Sequence, residues 1–284
     1  MHSDSGKMPF AYKFLEEKKM KKLIVLILAM TLCLSAAACG GTKTPADTTA
    51  PETETPSVEP VESIEPSAAP VEETNAPEAA DAVDIYITVA CEGSLVTGAE
   101  ELKVSDMDGD GAVTVNDALI AAHDELFEGG ADAGYGTEDG SYGLAITKLW
   151  GVENGGAYGY YVNNVAAFAL TDPISEGDWV YAFAYADATG YSDAFTFFED
   201  RAVTVGTGEE LTLCLCKAAF DTDWNPITLA VEGAQLTVDG EAVESVTDAD
   251  GNVTVTFDKP GEYAVSAQVT EGIIVPPLCV VTVD

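Results

Sequence analysis

The chain has 284 residues, enough for one large domain or for two small ones with a tail. Its 49 acidic residues outnumber the 12 basic ones, which gives a formal net charge of −37. A surface of that charge repels phosphate backbones, so we expect no nucleic acid partner.

The N-terminus has the pattern of a secretory signal peptide, which we place at residues 1–38. Lysines precede an apolar run over residues 23–34, which leads through small residues to Cys39 in the sequence LCLSAAACGG. A cysteine in this position resembles a bacterial lipobox, and the resemblance implies that Cys39 is lipidated. We therefore expect an extracytoplasmic protein that is anchored to the cell membrane and exposed at the cell surface. A transmembrane anchor is the alternative, but the run is shorter than the ~20 apolar residues of a bilayer span.

Residues 39–82 have the composition of a disordered linker. The segment is rich in Thr, Pro, Glu and Ala, has no aromatic residue, and has Lys43 as its single basic residue. Such a segment cannot bury enough apolar surface to offset the entropy lost on ordering. We expect a stalk that repels itself and holds the rest of the chain away from the membrane.

The first folded domain is predicted over residues 83–200. Alternating apolar residues predict strands on both sides of one helix, and this order favours a β-grasp-like α+β sheet with the helix packed across it. The predicted strands cover residues 83–89, 102–104, 143–150, 158–162 and 179–185.

The helix of this domain is predicted to begin after Thr114. Asp117 stands three residues later, in the position of a capping box. Leu119 and Ala122 mark the apolar face, and the helix is predicted to stop at residues 129–130, which are both glycine.

A Ca²⁺ loop is predicted at residues 106–117, which read DMDGDGAVTVND. Carboxylates in places one, three, five and twelve and a glycine in place six follow the spacing of an EF-hand loop. The closing Asp, where Glu is usual, resembles the loops of dockerin modules. The predicted ligands are Asp106, Asp108, Asp110, the carbonyl of Ala112, Thr114 and Asp117. The alternative is an acidic turn that binds no metal.

A longer stretch resembles a known family. KLWGVENGGAYGYYVNNVAAF and the later ISEGDW segment resemble the transcobalamin-like C-terminal domain of bacterial surface proteins, over about residues 83–199. That domain is similar to the β-domain with which cobalamin carriers close over their ligand. The resemblance implies a β-grasp-like fold and a corrinoid as one candidate ligand. This chain differs by its EF-hand-like loop and lacks the helical barrel of the animal carriers.

Aromatic residues near predicted loops are candidates for a ligand surface. We favour packing within the sheet for these aromatic residues, and the alternative is a ligand-facing subset formed by Tyr142, Trp150 and Tyr158. His123 lies at the edge of the helix's apolar face, so we interpret it as a structural histidine rather than a metal ligand.

The second domain, residues 201–284, is predicted to be a small immunoglobulin-like β-sandwich because short strand signals recur along it. The sequence DADGN at residues 248–252 favours a hairpin turn over a second Ca²⁺ loop. After export the cysteines are Cys91, Cys214, Cys216 and Cys279. The sequence allows two alternatives for these cysteines. Either a disulfide joins Cys214 or Cys216 to Cys279, or the thiols are free and buried.

The sequence offers no catalytic constellation, so we do not expect an enzyme. Two hypotheses remain. In the first, the protein is a Ca²⁺-binding surface module for display, adhesion or interaction. In the second, it is a lipoprotein that captures a corrinoid, a glycan or another small molecule through its β-grasp-like domain.

Overall fold

The computed structural model describes residues 81–284. The predicted signal peptide, the lipidation site at Cys39 and the linker up to residue 80 lie outside these residues. The described part is mostly β. Its first elements are β1 (Val83–Cys91), β2 (Ser94–Val104), α1 (Val115–Leu126), α2 (Gly130–Gly134), β3 (Gly136–Gly140), β4 (Gly143–Lys148), β5 (Tyr158–Val162), β6 (Val165–Ala166) and β7 (Trp179–Ala184).

The first sheet has the strand order β2-β1-β7-β5-β6. β1 pairs antiparallel with β2 and parallel with β7, while β7 pairs antiparallel with β5. On β1 the alternation places Ile85, Ile87 and Val89 in the core, where they share one buried cluster with Leu119 of α1. The helix therefore covers one face of this sheet.

The predicted capping box of α1 is confirmed. The Thr114 side chain accepts from the backbone of Asp117, and the Asp117 side chain accepts from the backbone of Thr114. The helix stops earlier than predicted, at Leu126, because Phe127 turns to an extended conformation while its N–H still bonds to the carbonyl of His123. Gly129 and Gly130 follow with positive φ angles and lead into α2.

The remaining elements form two facing sheets. They are β8 (Ala194–Phe198), β9 (Ala202–Val205), β10 (Glu210–Phe220), β11 (Pro226–Ala230), β12 (Gln235–Val238), β13 (Glu241–Val246), β14 (Asn252–Thr256), β15 (Gly261–Gln268), β16 (Ile274–Val275) and β17 (Cys279–Val283). One sheet has the order β11-β10-β8-β16, with β14 also paired to β10, and the other has the order β13-β12-β15-β17-β9.

These two sheets form an immunoglobulin-like β-sandwich, as predicted. Leu213, Leu236 and Val281 come from different strands and have no exposed surface, so both sheets contribute to one core. In one sheet, β9 pairs in parallel with β17, so the first and last strands of that sheet are neighbours. In the other sheet, β10 pairs antiparallel with β14.

The turn predicted at residues 248–252 forms, since the N–H of Gly251 donates to the carbonyl of Asp248 at 3.0 Å. The predicted hairpin is wrong, because β13 pairs with β12 whereas β14 pairs with β10. The chain uses this turn to cross from one sheet of the sandwich to the other.

Contacts between aromatic rings connect the first sheet to the sandwich. Phe195 of β8 stacks on Tyr161 of β5 with ring centroids 3.6 Å apart, and it meets Tyr181 of β7 edge to face. The Tyr181 hydroxyl donates to the carbonyl of Pro276. Strand β8 lies before residue 201, where the second domain was predicted to begin, but it pairs with β10 of the sandwich. It therefore contacts both the first sheet and the sandwich.

Candidate functional site

The acidic loop at residues 106–117 links β2 to α1 and folds around Asp106. One oxygen of the Asp106 carboxylate accepts from the N–H groups of Gly109 and Asp110, at 2.7 and 3.1 Å, and the other accepts from Gly111 at 2.9 Å. Gly109 and Gly111 have φ angles of +81° and +94°, where glycine carries no steric cost. The turns that bring the carboxylates together therefore need these glycines.

Asp117 joins the loop to the helix. Its side chain is fully buried. Its Oδ1 accepts from the N–H groups of Met107 at 2.7 Å and Asp108 at 3.2 Å. Its Oδ2 accepts from the N–H of Thr114 at 2.8 Å and from the Thr114 hydroxyl at 2.7 Å. A carboxylate has about four lone-pair sites, and here all of them face protein donors.

The start of α1 is also held by the segment before β7. The N–H groups of Val115 and Asn116 donate to the carbonyls of Asp172 and Leu170 at 3.0 and 2.9 Å, and that of Ile174 donates to Val113 at 3.0 Å. These bonds satisfy helix N–H groups that have no partner within the helix. The acidic loop is thus fixed on its inner side and open on its outer side.

The structure brings three of the six predicted ligands together. Oxygen atoms of Asp106, Asp108 and Asp117 lie within 4.8 Å of one another. Two oxygens that share one Ca²⁺, each at 2.3–2.6 Å, are at most about 5 Å apart, and the separations of these three oxygens lie within that limit. Asp110 lies outside the group, and its Oδ1 accepts from the N–H of Ala112 at 2.9 Å.

Thr114, a fourth predicted ligand, contributes its hydroxyl to the helix cap and is almost fully buried.

Two residues that were not among the predicted ligands support this cluster. Asn116 donates through its side-chain amide to Asp108 at 2.8 Å, and the Tyr135 hydroxyl donates to Asn116 at 2.9 Å. Burial raises the pKa of Tyr135, and the nearby carboxylates of Asp117 and Asp108 raise it further. The position of Asn116 in the eleventh place of the loop was the only sequence signal.

His123 is a structural residue, as interpreted from the sequence. It has no exposed surface, its Nδ1 lies 2.5 Å from the carbonyl of Leu119, and its Nε2 accepts from the N–H of Trp150 at 3.0 Å. Its ring stacks on Tyr135 at 5.0 Å. Burial lowers the pKa of His123 to about 4, so the ring is neutral near pH 7.

The three predicted ligand aromatics occupy different surroundings. Tyr142 is fully exposed at the turn between β3 and β4. Trp150 packs edge to face on Phe127. The Tyr158 hydroxyl lies 2.8 Å from the carbonyls of both Thr147 and Val152. Within the described residues no ring contact joins these three side chains.

A cleft of about 580 Å³ lies elsewhere, where the first sheet meets the sandwich. Tyr86 and Trp179 form part of its wall, and their rings stack with centroids 4.6 Å apart. Glu100, Glu101 and Glu262 also line it, and no lining residue is basic. This cleft could not be predicted from the sequence, because Tyr86 and Trp179 become neighbours only through the β1–β7 register.

Comparison with known proteins gives no family. No protein-family model matches the chain, and no curated protein matches it. Several solved structures of immunoglobulin-domain arrays are similar in part.

The four N-terminal Ig domains of Dscam1 isoform 6.9 share 9% identity at a TM-score of 0.21, covering 53% of this chain and 36% of that one. Tandem Ig repeats of Dlar share 10% identity at a TM-score of 0.22, covering 71% of this chain and 96% of that one. Immunoglobulin domains 1–4 of Sidekick-1 share 11% identity at a TM-score of 0.21, covering 75% of this chain and 51% of that one.

The chain spans less than half the length of the Dscam1 structures that it matches. TM-scores this low do not establish a shared fold, so the sandwich is assigned from its own strand pairing. Among residues 81–284, no helix has the length and apolarity needed to cross a membrane.

Proposed function

We propose that this protein is an exported, non-catalytic surface module, anchored through lipid on Cys39, with a folded head stabilised by Ca²⁺ at residues 106–117. The proposal rests on one observation: the carboxylates of Asp106, Asp108 and Asp117 lie close together in the loop that connects β2 to α1. Bound Ca²⁺ would supply positive charge to a cluster whose negative charges otherwise repel one another.

The loop residues have distinct tasks in this proposal. Asp106 and Asp108 present oxygens from the exposed side of the loop, while Asp117 adds its negative charge from the buried side, with its Oδ1 held by the N–H groups of Met107 and Asp108. The Oδ2 of Asp117 stays in the helix cap through Thr114. Binding of Ca²⁺ to the loop would therefore also stabilise the first turn of α1, which packs on the first sheet.

We further propose that the first region is β-grasp-like, as the resemblance to transcobalamin-like domains implies. The support is the order β2-β1-β7-β5-β6, in which β1 and β7 are parallel neighbours and each has an antiparallel neighbour on its other side, with α1 between β2 and β5 in the chain. With this fold the chain joins a β-grasp-like unit and a sandwich in one head, which suits display or adhesion.

The test is thermal unfolding of the full chain with and without Ca²⁺. Extracellular Ca²⁺ modules bind at about 10⁻⁴ to 10⁻³ M, so at a Kd of about 10⁻⁴ M, ~10 mM Ca²⁺ adds about 2.7 kcal/mol to the free energy of unfolding. For a domain of this size the Tm rises by about 5–10 °C.

The variant Asp106→Ala should lose the Ca²⁺-dependent rise, and the control Asp139→Ala, at an exposed position on β3, should keep it. Equal melting curves in Ca²⁺ and in chelator for the wild-type chain would refute the Ca²⁺ site.

A second candidate function, capture of a small ligand, is favoured by the cleft between the first sheet and the sandwich. Its volume of about 580 Å³ lies in the range of small-molecule sites. The stacked Tyr86–Trp179 pair and three carboxylates suit an organic cation, since aromatic faces and negative charge both attract one. A corrinoid stays the candidate that the transcobalamin-like resemblance implies.

Titration with spermidine, followed by isothermal titration calorimetry, distinguishes the organic cation from the corrinoid. We expect a saturable change in the wild-type chain and in Trp224→Phe, which alters an exposed tryptophan far from the cleft in sequence. The change should disappear in Trp179→Phe combined with Glu262→Gln. If spermidine gives no signal but cobalamin gives a saturable absorbance change, the ligand is a corrinoid and not an organic cation. If neither ligand gives a signal, the proposal of ligand capture is refuted.

A further inference from the structure

A cluster of sulfur and oxygen donors lies on the sandwich, away from the acidic loop. Cys214 and Cys216 alternate on β10 with Leu213 and Leu215, which point into the core, so both cysteines project from the opposite face. Glu199 follows β8, and its N–H donates to the carbonyl of Cys214 at 3.1 Å. The pairing of β8 with β10 thus places a carboxylate beside the two thiols.

The distances within this cluster suit one tetrahedral metal ion. The two sulfurs are 3.8 Å apart, and a carboxylate oxygen of Glu199 lies within 4.8 Å of both. Two sulfurs that bind one Zn²⁺ at about 2.3 Å with a tetrahedral angle are about 3.8 Å apart. A disulfide would need about 2.05 Å. Simple contact between two thiols gives a similar separation, so the third donor, Glu199, is what distinguishes a metal site.

The chemistry of the donors separates this cluster from the acidic loop. The loop offers only oxygen ligands, which suit Ca²⁺, whereas thiolates select softer ions such as Zn²⁺. Cys216 is buried, Cys214 is partly buried and Glu199 is exposed, so an ion can enter from the Glu199 side. The formal charge of −37 raises the local concentration of divalent cations at the surface.

The other cysteines do not join this cluster. Cys279 is buried in the sandwich core, and the Cys91 thiol lies 3.8 Å from the carbonyl of Leu149 in the first region. No disulfide joins the cysteines of residues 81–284, so the bridge to Cys279 that the sequence left open does not form.

We propose that Cys214, Cys216 and Glu199 bind Zn²⁺ on the outer face of the sandwich, with the fourth ligand position taken by water. Each thiol loses its proton to solvent when it binds the ion, so binding releases up to two protons and weakens as the pH falls.

The test uses the full chain, reduced and freed of metal, with Co²⁺ as a coloured probe for Zn²⁺. We expect thiolate-to-Co²⁺ charge-transfer absorption that saturates at one equivalent, is abolished by added Zn²⁺ and persists in excess Ca²⁺. Cys214→Ser, at the partly exposed position, should lose the band, and Glu199→Gln should weaken Co²⁺ binding by about tenfold or more.

Two control variants keep the outcome decisive. Cys91→Ser should retain the band, and Asp106→Ala should retain it as well, because the acidic loop is a separate site. Far-UV circular dichroism reports whether each variant is folded. Absence of a charge-transfer band in the folded wild-type chain overturns the proposal, as does a full band in folded Cys214→Ser. Unchanged affinity in Glu199→Gln overturns the role of the carboxylate.

Discussion

The corner where residues 106–117 join β2 to α1 has the buried Asp117 carboxylate at its centre, whereas the sandwich has a buried apolar interior. Different interactions hold these two regions. At the corner one buried carboxylate accepts four hydrogen bonds from backbone and side-chain donors. In the sandwich the buried residues are almost all aliphatic, with Leu213, Leu215 and Leu236 at no exposure. Stability at the corner depends on one side chain, whereas in the sandwich it is spread over many.

The largest expected effect comes from Asp117→Ala. This change removes the helix cap and leaves the N–H groups of Met107 and Thr114 without their acceptor, so we expect a loss of roughly 3–5 kcal/mol of unfolding free energy. Leu213→Ala in the sandwich is the matched comparison, at about 3 kcal/mol from lost contacts and the cavity that remains.

Urea denaturation of both variants in the presence of a chelator measures their free energies of unfolding without any contribution from Ca²⁺. Asp117→Asn, which keeps one acceptor oxygen, should fall between Asp117→Ala and the wild type. If Asp117→Ala costs less than Leu213→Ala, the corner is not the more sensitive region.

A smaller effect is expected from His123, which lies in α1 with its ring stacked on Tyr135. Its pKa is about 4 in the folded protein and about 6.5 in the unfolded chain, so between these values only the unfolded chain binds the proton. The free energy of unfolding therefore decreases as the pH is lowered through this window, by about 2 kcal/mol from pH 7 to pH 5.

The measurement is the pH dependence of urea denaturation for the wild-type chain and for His123→Gln. The variant should have a shallower slope between pH 7 and pH 5, whatever its stability at pH 7. Parallel slopes would show that other groups carry the acid sensitivity.

Local features of this corner could be predicted from the sequence, because their geometry is set by residues close together in the chain. Thr114 and Asp117 are three residues apart, and the capping box formed as expected. The helix end was placed too late because the glycines at 129 and 130 mark the entry to α2, and the turn of Phe127 comes first.

Features that depend on strand register could not be predicted. Tyr86 meets Trp179 only because β1 and β7 pair in parallel, and Glu199 meets Cys214 only because β8 joins β10. The turn at Asp248 was visible in the sequence, but nothing local indicated that its two strands enter different sheets.

The position of β1 inside its sheet has a mechanical consequence. It is the first strand of the described residues, and it pairs with β2 from Val83 onward on one side and with β7 from Tyr86 onward on the other. A pull that arrives through the preceding chain acts along the strand axis, so it loads both ladders in shear and must strain many bonds at once. Strand β1 should therefore resist a force that is applied from its N-terminal side.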